Sequence, residues 1–168
     1  MGTDIHLFLE HKIGGGEEYF SLAKGELNLP RDYDVFAALA GVRTDAAPLI
    51  PPRGFPSDAS WDAHRSYYHR VSDDETQYHD GLWWIEKSEH AESYVARGIS
   101  HRKLWRNVDL VSDPDAHHPS WLAGTEFSAA LRASSLDLDK LSSEYLVVIA
   151  ALDLFATRHA RVVFWFDN

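Results

Sequence analysis

The sequence predicts a single α+β domain in which a small sheet, containing both the N-terminal and the C-terminal strand, packs on a buried C-terminal helix. Three patterns predict this architecture. Residues 4–10 alternate between apolar and polar side chains, residues 161–168 form a nearly continuous apolar strand, and the apolar run before residue 160 is long enough for a helix. Strands at both ends of the chain are expected to be neighbours in one sheet.

The composition indicates one cytoplasmic domain, residues 1–168, with its own core. The chain has 168 residues, of which 45% are hydrophobic and 12% aromatic. This is enough to form a core without disulfides or a structural metal. The sequence has neither the layout of a secretion signal nor an apolar run of the ~20 residues that a membrane helix needs. The formal net charge of -10 repels phosphates, so we expect neither nucleic acid nor a membrane as a partner.

The first strand is expected to continue into a hairpin. Its apolar residues occupy alternate positions from Ile5 to Leu9. The positions around and between them carry Asp4, His6, Phe8 and Glu10. Glycines at 14–16 predict a turn, and residues 19–22 are expected to return as an antiparallel strand.

A helix is predicted from about residue 31 to residue 42. Apolar side chains recur there at three- and four-residue spacing, with Pro30 before the pattern and Gly41 near its end, as is typical of helix boundaries. Residues 44–60 carry four prolines, which indicates an ordered loop.

The segment 61–107 is unusual in composition. It holds four of the six tryptophans and five of the ten histidines but shows little periodicity. A short helix from Ser88, as N-cap, to about Arg97 is the one element the pattern indicates. We interpret the segment as an irregular, aromatic-rich insertion packed over the core, resembling a lid.

The last third of the chain is expected to contain a loop, two helices and a strand. Residues 115–122 are flanked by polar and proline residues and are predicted as a loop, followed by a short helix capped by Thr125. A longer helix over about residues 139–159 is apolar on nearly every face, so we expect it to be largely enclosed. The strand at 161–168 completes the chain.

Asp4 and His6 are the first candidate site. Residues two apart on a strand point to the same face, so a carboxylate and an imidazole there can converge on one divalent ion such as Zn, Mn or Mg. The chain has no cysteine, which leaves His, Asp and Glu as the strong metal ligands. The alternative is that these residues form only the solvent-exposed, polar face of an edge strand.

Asp115 and His117 are the second candidate, with Ser120 and Trp121 close behind them. Acidic and imidazole groups at alternate positions of a loop are typical of ligands and catalytic groups, although loops also collect polar residues for solvation alone. At the carboxyl end, Asp167 would emerge near Asp4 if the last strand were antiparallel to the first.

Arg53 and Asp58 are the third candidate. A guanidinium held by neighbouring glycine and proline residues can form a planar clamp for a phosphate or carboxylate. The alternative is a structural salt bridge from Arg53 to Asp58.

Several separated blocks resemble a family of mostly uncharacterised proteins from bacteria and their phages. The blocks are residues 1–6 (MGTDIH), 31–43 (R-x-Y-x-x-F-A-x-L-A-G-V-R), 52–60 (P-R-G-F-P-x-D-x-S), 115–122 (D-x-H-x-x-S-W-L) and 161–168 (RVVFWFDN). At two positions the chain differs from the family pattern, since His118 stands where Ser is more common and Ala123 where Thr is usual. The resemblance implies no activity, but its blocks are rich in Asp, His, Arg and Ser, a composition that suits a site.

Two hypotheses follow, and they leave open whether the protein is an enzyme. The leading one is a divalent-metal-dependent hydrolase of a phosphoester or a nucleotide-like small anion. Its metal ligands would be Asp4, His6 and His117, its catalytic residues Asp115 or Asp58 as base with Arg53, and its substrate-binding residues Arg31, Ser120 and Trp121. The alternative is a non-catalytic phage or prophage accessory protein that binds a host protein through residues 61–107.

Overall fold

The two terminal strands are neighbours in the middle of an antiparallel sheet. A computed structural model describes residues 2–74, 83–134 and 136–168. Strand β1 (Asp4–Lys12) pairs with β8 (Arg161–Asp167), with Asp4 opposite Asp167. Strand β2 (Tyr19–Ser21) extends the sheet beyond β1, and β7 (His117–Ala123) extends it beyond β8. The predicted hairpin, the shared sheet and the nearness of Asp4 and Asp167 are confirmed.

One face of this sheet packs on three helices, which confirms the predicted α+β class. The helices are α1 (Tyr33–Ala40), α4 (Gly124–Ala133) and α5 (Ser143–Leu154). The core between the sheet and these helices is apolar and tightly enclosed. Its largest fully buried side chains include Leu7, Phe36, Phe127, Tyr145, Phe164 and Phe166.

Helix α1 shows why its boundaries could be predicted. The Asp32 carboxylate accepts hydrogen bonds from the backbone N–H groups of Asp34 and Val35, so it caps the first turn. Gly41 ends the helix with a φ of +70°, and a Cβ atom there would lie 3.1 Å from Cδ of Pro48.

Helix α5 is shorter and more exposed than its sequence predicted. It covers Ser143–Leu154, and the ends of the predicted helix are separate 3₁₀ turns at Leu138–Lys140 and Ala156–Arg158. Its inner face is buried, but Val147 is 64% exposed and Leu154 is 76% exposed. The expectation of an enclosed helix was wrong, because the rest of the domain covers one side of this helix and leaves the other in solvent.

Segment 61–107 is more regular than predicted. It contributes α2 (Trp61–Tyr67), β3 (Tyr68–Val71), β4 (Ile85–Glu86), α3 (Ser88–Ala96) and β5 (Arg102–Trp105). With β6 (Val108–Ser112) these strands form a second sheet in the order β4-β3-β6-β5. Residues 75–82 of the segment lie outside the described residues.

Two predicted N-caps were assigned one or two residues too late. Helix α3 begins at Ser88, so Lys87 is its cap, and α4 begins at Gly124 with Ala123 as its cap rather than Thr125. The Glu126 carboxylate accepts a hydrogen bond from the Ala123 N–H, which explains the earlier start of α4.

The second face of β1 is also buried. Phe8 stacks on Trp165, which contacts Phe55 and Tyr67 in an aromatic cluster between the two sheets. Strand β1 is therefore a central strand that is covered on both faces along most of its length, not an edge strand, and Asp4 at its first position is exposed. No helix among the described residues is both long and apolar enough to cross a membrane.

Candidate functional site

His6 lies between two carboxylates at the end of the central strands. Its Nδ1 is 3.0 Å from Oε1 of Glu26, its Nε2 is 3.2 Å from Oδ2 of Asp167, and its ring stacks on Trp165. Burial opposes the charge, but the hydrogen bonds and attraction of the two carboxylates outweigh it and raise the pKa of His6 to about 9. At neutral pH this side chain is an imidazolium whose two nitrogens each lie close to a carboxylate oxygen.

Asp4, the second predicted metal ligand, is bonded to Arg31, which was predicted to bind substrate. The two carboxylate oxygens accept hydrogen bonds from Nε and Nη2 of the guanidinium. The bond to Arg31 lowers the pKa of Asp4. Both side chains are about half exposed, so the structure places these two residues in a surface ion pair.

The predicted ligands His6 and His117 lie on opposite faces of the sheet. His6 stacks on Trp165, whereas His117 stacks on Phe166, and consecutive residues of β8 point to opposite faces. The chain thus does not bring Asp4, His6 and His117 to one point. Within residues 2–74, 83–134 and 136–168, no group of three or more His, Asp or Glu side chains is arranged to hold a metal ion.

His117 and His118 converge on each other instead. Neighbours in a regular strand point to opposite faces, but β7 has a bulge between His117 and Ser120, and His118 adopts a φ of +49°. This left-handed conformation is unusual for a residue with a side chain and brings the two Nδ1 atoms to 2.7 Å. At that distance one nitrogen donates and the other accepts.

His117 is held as a neutral imidazole. Burial and the neighbouring His118 lower the pKa of His117 and outweigh the opposing effects of Asn168 and Asp167. Its Nε2 atom is buried and, among the described residues, makes no hydrogen bond of good geometry. A neutral imidazole with available lone-pair electrons is the form that binds metal ions or accepts protons.

The histidine pair opens into a cleft of about 520 Å³. Asp115 lies in the turn before β7 and lines this cleft, as do Arg43 and Asn168. Arg43 donates two hydrogen bonds to Oγ1 of Thr3, and the Thr3 hydroxyl donates to Oδ1 of Asn168. The cleft therefore combines two imidazoles, a carboxylate, an amide and a positioned guanidinium.

Another cleft, of about 580 Å³, lies between α1 and α4 but has few polar side chains that could bind or react with a ligand. Small and apolar side chains such as alanines, Pro48 and Leu49 dominate its lining, with Asp34 as the carboxylate. Size alone does not make it the better site, since converging polar groups define a ligand site more than volume does.

Arg53, Ser120 and Trp121 form a structural cluster on the outer part of β7. The guanidinium makes a bidentate bond to Glu126, at 2.8 and 2.6 Å, and stacks over Trp121 at 4.5 Å. The Ser120 hydroxyl accepts a hydrogen bond from the Arg53 backbone N–H. The alternative of a salt bridge from Arg53 to Asp58 was wrong, because Arg53 pairs with Glu126.

Asp58 lies near the other end of the sheet. Its carboxylate is 2.9 Å from Nη1 of Arg161, the first residue of β8, whereas His6 bonds to Asp167 at the last. Six residues of strand separate these ends, about 20 Å at the usual rise per residue. Asp58 and Asp115 therefore do not serve one site.

Three cleft residues were not assigned roles from the sequence. Arg43 and Asn168 were inside recognised blocks, and His118, which follows His117 in the second candidate stretch, was given no role of its own. A His-His pair flanked by Pro119 is a weak signal for a bulge, and no local pattern shows that two adjacent strand residues will face each other.

Comparison of the chain with protein family models, curated proteins and solved structures finds no match, so the function has to be inferred from the chemistry of the cleft. The likeness to a bacterial and phage family stays a prediction.

Proposed function

We propose that this protein is a divalent-metal-dependent hydrolase of a small phosphoester or nucleotide, acting in the cleft beside His117. The observation that carries the proposal is the convergence of the His117 and His118 nitrogens at 2.7 Å, imposed by a bulge and a positive φ. Strained backbone at a polar cleft is typical of functional sites. The proposal moves the predicted metal site from Asp4 and His6 to this pair.

The Nδ1 atoms of the two imidazoles would hold the ion, and the proton that lies between them would pass to solvent when the metal binds. Two nitrogens on one tetrahedral zinc ion, each at about 2.0–2.1 Å, are roughly 3.4 Å apart, so the pair has to open by well under 1 Å. Water and substrate oxygens would complete the coordination. When bound, the ion supplies a water of lowered pKa and polarises the phosphoryl oxygen.

The other cleft residues supply the remaining roles. Asp115 lines the same cleft as the pair and would accept the proton of the attacking water. Arg43 takes the role predicted for Arg53, because it lines the cleft with its guanidinium oriented by Thr3 and can balance the charge of an anionic substrate. His6 is not needed as a ligand.

Metal titration tests the proposal most directly. The chelator-treated protein would be titrated with Zn²⁺, Mn²⁺ and Mg²⁺ by calorimetry, and hydrolysis of bis(p-nitrophenyl) phosphate measured with each metal. We expect one site per chain for at least one ion and metal-dependent turnover. H118A should lose both, because one imidazole cannot replace two ligands.

H101A is the matched control, since His101 is exposed and lies outside the cleft. It should bind metal like the natural chain. The proposal is abandoned if none of the three ions binds, or if H118A binds metal as tightly as H101A does.

The second candidate function is binding of a host protein through residues 61–107. The observation favouring it is Leu104, which is 72% exposed on β5, the edge strand of the second sheet. An edge strand with an exposed apolar side chain can accept a strand from a partner. Capture of a host protein by the natural chain but not by L104D, with metal binding equal in both, would favour this candidate.

A further inference from the structure

A neighbouring cleft of about 550 Å³ shares a wall with the histidine cleft. Pro114 and Asp115 line both, so a single turn of the chain separates the two clefts. The second cleft is bounded on its far side by the second sheet and α2. Its other lining side chains include Arg65, His69, Trp84, Glu86 and Asp113.

Trp84 presents an exposed indole in this second cleft. The side chain is 70% exposed and lies 6.0 Å, centroid to centroid, from the ring of His69. Leaving so large an apolar ring in water is unfavourable, whereas its flat face suits the stacking of a planar ring. Aromatic side chains of this kind serve as platforms for nucleobases.

Two carboxylates lie in the same cleft as Trp84. Glu86 and Asp113 lie on either side of His69, with oxygens 3.8 and 3.6 Å from its two ring nitrogens. Burial alone would raise the pKa of Asp113, but its hydrogen bonds to His69 and to the Asp115 backbone N–H outweigh burial and lower that pKa, so the group stays ionised. An ionised carboxylate such as that of Asp113 only accepts hydrogen bonds, so it favours a ligand edge that donates them.

We infer that the substrate is a nucleotide whose base bears an amino group, with the base stacked on Trp84 and its amino group directed at Glu86 and Asp113, while the phosphate lies beside Arg43 and the histidine pair. This inference rests on the proposed function for the phosphate end. The proposed position of the base rests only on the cleft that Trp84, Glu86 and Asp113 line. Cytosine and adenine donate from an exocyclic amine, whereas uracil and hypoxanthine present an oxygen at the same position, which the carboxylates would repel.

Matched pairs of nucleosides isolate the base end without requiring a metal. Binding of cytidine against uridine, and of adenosine against inosine, would be followed by tryptophan fluorescence and calorimetry. We expect the amino-bearing member of at least one pair to bind about ten-fold or more tightly than its partner, as a hydrogen bond to a charged group provides. The corresponding monophosphates should bind more tightly still when metal is present.

Three variants locate the binding. W84A should weaken nucleoside binding by about ten-fold, the range of a lost base stack. W61A removes another partly exposed tryptophan, outside this cleft, and should bind like the natural chain. E86Q should reduce the preference for the amino-bearing base, and it provides the test if W84A fails to fold.

Two results would overturn the inference. One is equal affinity within each nucleoside pair, and the other is nucleoside binding unchanged in both W84A and E86Q. Metal binding and hydrolysis of bis(p-nitrophenyl) phosphate that persist while nucleosides fail to bind would reject the inference but keep the proposed function. Nucleoside discrimination without any metal binding would reject the proposed function and keep the base site.

Discussion

The guanidinium of Arg161 donates from Nε to Oε2 of Glu10 at 2.9 Å, across the central strand pair and out of contact with solvent. Glu10 is fully buried and Arg161 is 3% exposed. The second oxygen of Glu10 accepts a hydrogen bond from the Ser60 N–H at 2.7 Å, and Arg161 also bonds to Asp58. One ion pair thus ties the first and last strands to the proline-rich loop.

Removing Arg161 should destabilise the fold strongly. R161M keeps much of the side-chain volume but leaves the Glu10 carboxylate buried without its cation, which costs about 3–5 kcal/mol. Equilibrium unfolding in urea measures the loss. R102M, which breaks the partly exposed pair with Asp109, is the control and should cost less than about 1 kcal/mol. A small effect of R161M would show that this ion pair contributes little to the stability of the fold.

His6 should make the protein less stable at alkaline pH. Its folded pKa of about 9 lies above the ordinary value of 6.5, so its contribution is complete below pH 6.5 and is lost as pH rises towards 9. We expect the free energy of unfolding to fall by up to about 3 kcal/mol across this window. In H6Q this decline should be absent, since glutamine has no charge to lose. An identical decline in both proteins would assign it to other groups.

His64 should make the protein less stable at acidic pH. Burial first, and then the charge of Lys103, lower the pKa of His64 to about 4, so the buried ring is neutral in the folded chain. Below pH 6.5 the unfolded chain takes up a proton that the folded chain does not, so stability is lost as pH falls towards 4. NMR of the ring nitrogens should show a neutral His64 at pH 5. A protonated ring at that pH would contradict its enclosed position.

The central sheet could be predicted because its signals are local. The alternation from Ile5 to Leu9 and the apolar run from Val162 to Phe166 each identify a strand without knowledge of its partner. The second sheet could not, because β4 has two residues and β3 has four, and the pattern of such short strands is set by distant partners.

The residues that line the histidine cleft could be predicted only in part, for the same reason. Asp115 and His117 stood out by residue type in a polar stretch, and the structure places both at one cleft. The face on which each strand residue lies depends on register, and the bulge before Ser120 changes it. Hence His118 could not be predicted to face His117, nor Asp4 to pair with Arg31.

Helix α5 should tolerate charge on its outer face. V147K and L154K replace side chains that are 64% and 76% exposed, so each should change the free energy of unfolding by less than about 0.5 kcal/mol. L152A, on the fully buried face, should cost about 2–5 kcal/mol. Thermal and urea unfolding of the three variants make the comparison. A large loss in V147K would mean that a partner, such as a second copy of the chain, covers this face.

Asp115 and Asp58 were both predicted as the catalytic base, and their positions predict different kinetics. Asp115 lines the histidine cleft, so D115N should lower kcat for the metal-dependent hydrolysis of bis(p-nitrophenyl) phosphate by about 100-fold or more while metal affinity is kept. Asp58 bonds to Arg161, at the opposite end of β8 from Asp167, so D58N should leave kcat unchanged and reduce stability only. Steady-state kinetics and urea unfolding of both variants separate the two effects. Loss of kcat in D58N with full activity in D115N would place the chemistry at the opposite end of the sheet.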